Sequence, residues 1–161
     1  MCLEKSSGFI VNVIEEIRRI SKTLSVPGMV MGLFDSIRSL LTDLIIVHAL
    51  KIEFQTTGVN EDDLDERLQL TIFRIVQEQL NNILKHSKAT HATINLTRQG
   101  NEIILFISDN GRGCNILEAE KGVGHINIMN RVEFYHGSVT TVSKPGEGYQ
   151  LKVVLPLNGL R

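Results

Sequence analysis

One segment constrains this chain more than any other. Between about Leu64 and His86 the apolar residues Leu68, Ile72, Ile75, Val76, Leu80 and Ile83 recur at helical spacing. That spacing gathers them into one stripe on a helix. A helix with a single apolar stripe has to lay it against a second layer. The downstream chain offers one. Ala92–Thr97 and Glu102–Ser108 alternate as strands around Gln99-Gly100-Asn101, and Ser138–Ser143 and Tyr149–Leu155 do so around Lys144-Pro145-Gly146-Glu147-Gly148. Both read as hairpins.

The remaining segments fill in the order. Ile10, Val13, Ile14, Ile17, Ile20 and Leu24 mark a first helix over Phe9–Leu24, ended by Pro27 and Gly28. A second helix is expected from about Met29 to Ala49, with Leu33, Ile37, Leu40, Leu41 and Leu44 on one side. Lys51–Gln55 alternates like a strand and stops at Gly58. Asp62 or Asp63 is expected to cap the long helix. His125–Tyr135 reads as a last helix after a glycine-punctuated loop from Asp109 to Gly124. Two helices, strand, long helix, hairpin, loop, helix, hairpin is the order of an α+β fold. The expected form is a two-layer α/β sandwich, with helices on one face of a mixed, mostly antiparallel sheet. The hinge at Val26-Pro27-Gly28 is the expected domain boundary.

Composition narrows the function classes. A length of 161 residues suits one domain with a sizeable core. The net charge of -1 supplies no general attraction to nucleic acid or an anionic membrane. Cys2 and Cys114 form neither a disulfide framework nor a metal-ligand spacing. No long uncharged run and no signal-peptide pattern is present. A cytoplasmic location without direct membrane contact is therefore expected for this stretch, whether or not a parent protein is membrane-anchored.

Four short constellations can carry chemistry. Glu78, Asn82, Lys85 and His86 lie at offsets of four, seven and eight residues, one helix face at about 100° per residue. The Asn82 amide oxygen suits Mg²⁺, a hard cation. Glu78 can position or deprotonate a neighbour, and Lys85 offers charge to a phosphate. Asp109-Asn110-Gly111-Arg112-Gly113 follows an apolar strand. An ionised Asp109 is acceptor-only and selects a donor such as the adenine amino group, while Gly111 and Gly113 allow close backbone approach. Gly122-Val123-Gly124 precedes a helix, where free N–H groups and the helix dipole favour phosphate. Gly146-Glu147-Gly148 closes the series. Taken singly, these are a solvated helix face, an Asn-Gly turn, a loop end and a hairpin turn. Their order and spacing within one domain raise them above those ordinary readings. His48, His91 and His136 show no metal-ligand spacing and read as structural or exposed.

In that order the motifs resemble the boxes of the HATPase domain of two-component sensor histidine kinases, in the GHKL superfamily with its Bergerat fold, over roughly Leu33–Leu157. Glu78-Gln79-Leu80-Asn81-Asn82-Ile83-Leu84-Lys85-His86 resembles the N box in its nitrate-sensor and desaturase-regulator form. Asp109–Gly113 resembles the G1 box. Gly122-Val123-Gly124 with Asn130-Arg131 resembles the G2 box, and Gly146-Glu147-Gly148 with Leu155-Pro156-Leu157 the last box and strand. The resemblance implies ATP and Mg²⁺ as cofactors, with Asn82 as metal ligand. It implies Glu78, Lys85 and His86 as catalytic residues. Asp109, Gly111, Gly113, Gly122, Gly124 and Gly148 would bind nucleotide, around a short lid at Cys114–Lys121. It also implies a homodimeric parent and a response regulator receiver domain as partner, with no nucleic acid involved.

Three departures stand out. His125 takes a position usually held by Leu, and Tyr149 one often held by Thr near the base. None of the five histidines precedes an acidic residue, as the family's acceptor does. The segment with Glu15-Glu16-Ile17-Arg18-Arg19 resembles the second helix of the dimerisation hairpin. Residues 1–27 are thus expected to be a remnant of that helix and 28–161 the ATP-binding domain, with the acceptor histidine outside this sequence. The alternatives are another GHKL ATPase, a serine kinase of the anti-sigma type, or a catalytically silent dimerisation module.

Overall fold

The structure is a computed structural model that describes residues 31–47, 50–119 and 122–157. These residues belong to one compact unit beginning at Met31. The expected first helix, Phe9–Leu24, and the hinge at Val26–Gly28 lie outside the described residues.

Helix α1 spans Gly32–Val47 and strand β1 Lys51–Thr57. A 3-10 turn at Glu61–Asp63 leads into α2, Glu66–Asn82, which continues as one π-helical turn over Ile83–Ser87. The hairpin β2 (His91–Gln99) and β3 (Glu102–Asp109) follows, then the short α3 (Ile116–Ala119) and α4 (Val123–Glu133). Strands β4 (Ser138–Ser143) and β5 (Tyr149–Pro156) complete the domain. The five strands lie in the order β1-β2-β3-β5-β4. Only β1 and β2 pair in parallel, joined by the crossover through α2; the other pairs are antiparallel. The mixed, mostly antiparallel sheet matches the expectation.

Alternation explains how the sheet packs. Ala92, Ile94 and Leu96 of β2, Ile103, Leu105 and Ile107 of β3, and Leu151, Val153 and Leu155 of β5 are all buried. Successive strand side chains point to opposite faces, so these residues share one face. The core between the layers is completed by Leu68, Ile72, Ile75, Val76 and Leu80 of α2, Ile128 and Val132 of α4, and Leu33, Ile37 and Leu41 of α1. Burying a side chain of this size contributes roughly 1.5–3 kcal/mol, so this face dominates the fold's stability.

Two local expectations are corrected. The cap of α2 is Asp65, whose side chain accepts the Leu68 N–H at 2.8 Å. Asp62 and Asp63 instead sit in the 3-10 turn, where Asn60 accepts the Asp62 N–H. The reason is Leu64, which is buried in extended conformation just before the helix. Inserting that side chain delays the helix start. At the other end, α-helical winding stops at Asn82 rather than His86. The π turn is closed by Lys88 in the left-handed region, φ 55°.

Candidate functional site

The first pole of the site lies at the end of β3. Asp109 is the last strand residue, paired with Ala92 on one side and Tyr149 on the other. Its side chain falls on the core face and is buried, at 8% exposure. Burial pushes the carboxyl above its ordinary value, and the Gly111 N–H, donating to Oδ1 at 2.8 Å, offsets part of that rise. The result is an acceptor held ready at the end of the central strand, with few protein donors to satisfy it.

The glycines around Asp109 allow the chain to pack against itself. A Cβ on Gly111 would collide with the Ser87 carbonyl and lie 2.6 Å from Ser87 Cβ. Arg112 N donates to the same carbonyl at 2.8 Å, so the loop is pinned to the end of the π turn. Gly113, at φ +62°, faces the Lys144 carbonyl where no Cβ fits, and Gly148, at φ +75°, faces the Asp109 carbonyl in the same way. Gly146 N donates to Arg112 O at 2.6 Å. Ser143 Oγ donates to Gly148 O at 2.7 Å and accepts the Cys114 N–H at 2.9 Å. The loop after β3 and the β4–β5 turn are therefore one interlocked unit.

The second pole lies at the start of α4. Gly122 is its N-cap and, as a glycine, supplies no side-chain cap. The first N–H groups of a helix lack intrahelical acceptors, and Ile126 N donates to Gly122 O at 3.1 Å. Gly124 abuts α2. A Cβ there would lie 2.5 Å from Glu78 Oε1 and 3.2 Å from Asn82 Oδ1. Glu78 and Asn82, one turn apart and half-buried, are thus brought together against a helix N-terminus. Lys85 and His86 sit on the π turn and are exposed. The change in winding ends the regular face at Asn82, because a π turn carries more residues than an α turn.

Both poles attach to the same helix end. Glu78 and Asn82 face Gly124, and Ser87, five residues beyond Asn82, holds Gly111 and Arg112. Among the described residues no group of three or more His, Cys, Asp or Glu side chains is placed to hold a metal alone. The amide and carboxylate oxygens of Asn82 and Glu78 fit Mg²⁺ only as part of a set completed by phosphate and water, which is how that ion is usually held. His125 is half-buried, and its Nδ1 is buried without a hydrogen-bond partner. Tyr149 is half-buried beside Asp109 in the strand register.

Sequence reasoning missed Ser87, Ser143 and Asn110, which hold the loops in place. Only Asn110 carried a signal, as part of an Asn-Gly pair. Among the described residues no helix is long and apolar enough to cross a membrane.

A two-layer domain with an acceptor at one sheet end and an uncapped helix start facing Glu78 and Asn82 has known counterparts. Residues 67–159 match the family described as histidine kinase-, DNA gyrase B- and HSP90-like ATPases, HATPase_c. The chain belongs to this family. Its curated relatives include the signal transduction histidine-protein kinase/phosphatase DegS of Bacillus subtilis, 34% identical over 68% of this chain and 30% of DegS. Sensor protein VraS of Staphylococcus epidermidis is 32% identical over 73% of this chain and 34% of VraS. The chain thus spans about a third of the length of these relatives. Among solved structures, histidine kinase AdeS of Acinetobacter baumannii shares the fold with a TM-score of 0.67 at 17% identity, over 96% of this chain and 83% of that one. The histidine kinase domain of the Erythrobacter litoralis blue-light activated kinase does so with a TM-score of 0.63 at 18% identity, over 78% and 61%.

Proposed function

We propose that this domain binds Mg-ATP between its two poles and serves a sensor histidine kinase, transferring the γ-phosphoryl to a histidine outside the sequence. The phosphoryl then passes to a response regulator receiver domain, and the parent acts as a cytoplasmically signalling homodimer. The single observation that carries the reading is the pairing of a buried, donor-poor Asp109 with an uncapped α4 start facing Glu78 and Asn82.

In this reading Asp109 accepts the adenine amino hydrogen. The N–H groups at the start of α4 orient phosphate oxygens, and Lys85 and His86 approach them from the exposed π turn. Asn82 holds Mg²⁺, which neutralises phosphate charge when bound. Glu78 would take up a proton from the incoming imidazole, or would orient a water held by Mg²⁺ when that ion is bound. Catalysis would rest on positioning and charge stabilisation, as phosphoryl transfer generally does. Glu78 and Asn82 at one pole and Asp109 at the other speak against a silent module. The sensor-kinase relatives favour this reading over an anti-sigma serine kinase or a purely hydrolytic ATPase.

Calorimetric titration with ATP and Mg²⁺ tests it. The chain should bind, Asp109→Ala should abolish binding, and Asn82→Ala should remove its Mg²⁺ dependence. A folded chain with no affinity for nucleotide would overturn the reading.

A further inference from the structure

Asn110 is exposed, yet its side-chain amide is spent on the protein. Its Oδ1 accepts the Thr90 N–H at 3.0 Å and the His91 N–H at 2.9 Å. Its Nδ2 donates to Thr90 Oγ1 at 3.0 Å. Its own N–H donates to His91 O at 3.1 Å, extending the β2–β3 ladder one step beyond Asp109. Thr90 O in turn accepts the Lys51 N–H of β1 at 3.0 Å. One side chain therefore fastens the loop after β3 to the first residues of β2 and, through them, to β1.

The position of this clasp in the chain matters. Asn110 lies between Asp109 and Gly111, and the Gly111 N–H is the donor that holds the Asp109 carboxylate. The direction of that N–H depends on the backbone torsions of Asn110. A free Asn110 could rotate and carry the donor away from Oδ1. With these side-chain hydrogen bonds in place it cannot do so without breaking them.

We propose that Asn110 is a positioning residue that fixes the Asp109 carboxylate in the direction that reads the base. This rests on the nucleotide reading above. The requirement is for acceptance from two adjacent N–H groups. An aspartate keeps that ability, since Thr90 Oγ1 can turn to donate to it. Alanine loses it, and serine is too short to reach both.

The test compares ADP and GDP, because guanine presents a carbonyl acceptor where adenine presents an amino donor. Dissociation constants are measured by calorimetry for the wild type, Asn110→Ala, Asn110→Ser and Asn110→Asp, at a temperature where circular dichroism shows each folded. The wild type should favour ADP. Asn110→Ala and Asn110→Ser should shrink that preference about tenfold, whereas Asn110→Asp should keep it within about threefold. A merely structural residue would weaken ADP and GDP alike and leave their ratio unchanged. An unchanged ratio in Asn110→Ala, or in Asn110→Ser if the alanine variant does not fold, overturns the proposal. Loss of preference in Asn110→Asp equal to that in Asn110→Ser does the same. A wild type with no preference for ADP overturns the base-reading role of Asp109 itself, and the role of Asn110 falls with it.

Discussion

The Glu78 carboxylate stands so close over Gly124 that a methyl group on that glycine would lie 2.5 Å from Oε1. The contact joins the start of α4 to the polar face of α2. The atom in the way is the far end of a mobile side chain, so Gly124→Ala can be accommodated by turning Glu78 aside. Unfolding free energy should change by less than about 1 kcal/mol. Mg²⁺-dependent ATP affinity should fall at least about tenfold, since Glu78 and its neighbour Asn82 are displaced. Parallel urea unfolding and calorimetric titration check both halves.

Burying the Asp109 carboxylate carries a cost. Burial raises its carboxyl above the ordinary value, so the folded chain keeps that proton to higher pH than the unfolded chain. Its contribution to stability is therefore greatest in acid, below the unfolded value of about 3.9. The contribution is lost as pH rises through the window up to the raised folded value, and is flat above it. Asp109→Asn can still accept the Gly111 N–H but never ionises. It should be more stable than the wild type near neutral pH by about 0.5–1 kcal/mol, while losing nucleotide affinity. The gap should close as the pH is lowered through that window, which denaturant melts across the acid range will show.

Gly113 and Gly100 both have positive φ, +62° and +60°, but only Gly113 has a carbonyl in the way. Gly100→Ala meets nothing within 4 Å and should cost about 1 kcal/mol of backbone strain. Gly113→Ala adds a collision with the Lys144 backbone and should cost about 2–4 kcal/mol. Comparing the two by thermal unfolding isolates the price of separating the interlocked loops.

Glu61 reaches across from the 3-10 turn to accept the Phe34 N–H in the first turn of α1, with its carboxylate packed against Gly32. It acts as a helix cap supplied from elsewhere in the chain. Glu61→Ala should lower stability by about 1 kcal/mol and leave nucleotide affinity unchanged. Thermal unfolding and calorimetry together would show the separation.

Much of this was legible in the residues. The alternation of Ile103, Leu105 and Ile107 and the stripe of Ile72, Ile75 and Val76 identify a sheet face and a helix face, because each burial period leaves its own spacing. The start of α2 was not. The run from Glu61 to Asp65 offers several capping residues, and the choice of Asp65 depends on Leu64 reaching the core. Nor was the π turn, which no composition announces. Gly111, Gly113 and Gly148 could be recognised as special, but their neighbours Ser87, Lys144 and Asp109 are mostly distant in sequence. Ser143 and Asn110 act through hydrogen bonds across the fold, which spacing alone does not record.

The interlock of the two loops also bears on what can vary. Cys114 N is fastened to Ser143 Oγ on one side of the segment expected to form a lid, and Gly124 is seated against Glu78 on the other. Both contacts lie outside the stretch 115–123 that joins them. Doubling the length of a loop adds only about 0.6 kcal/mol of closure cost. That stretch is therefore where the length of this domain can change with least effect on the Asp109 end, a variable insert in a fixed frame.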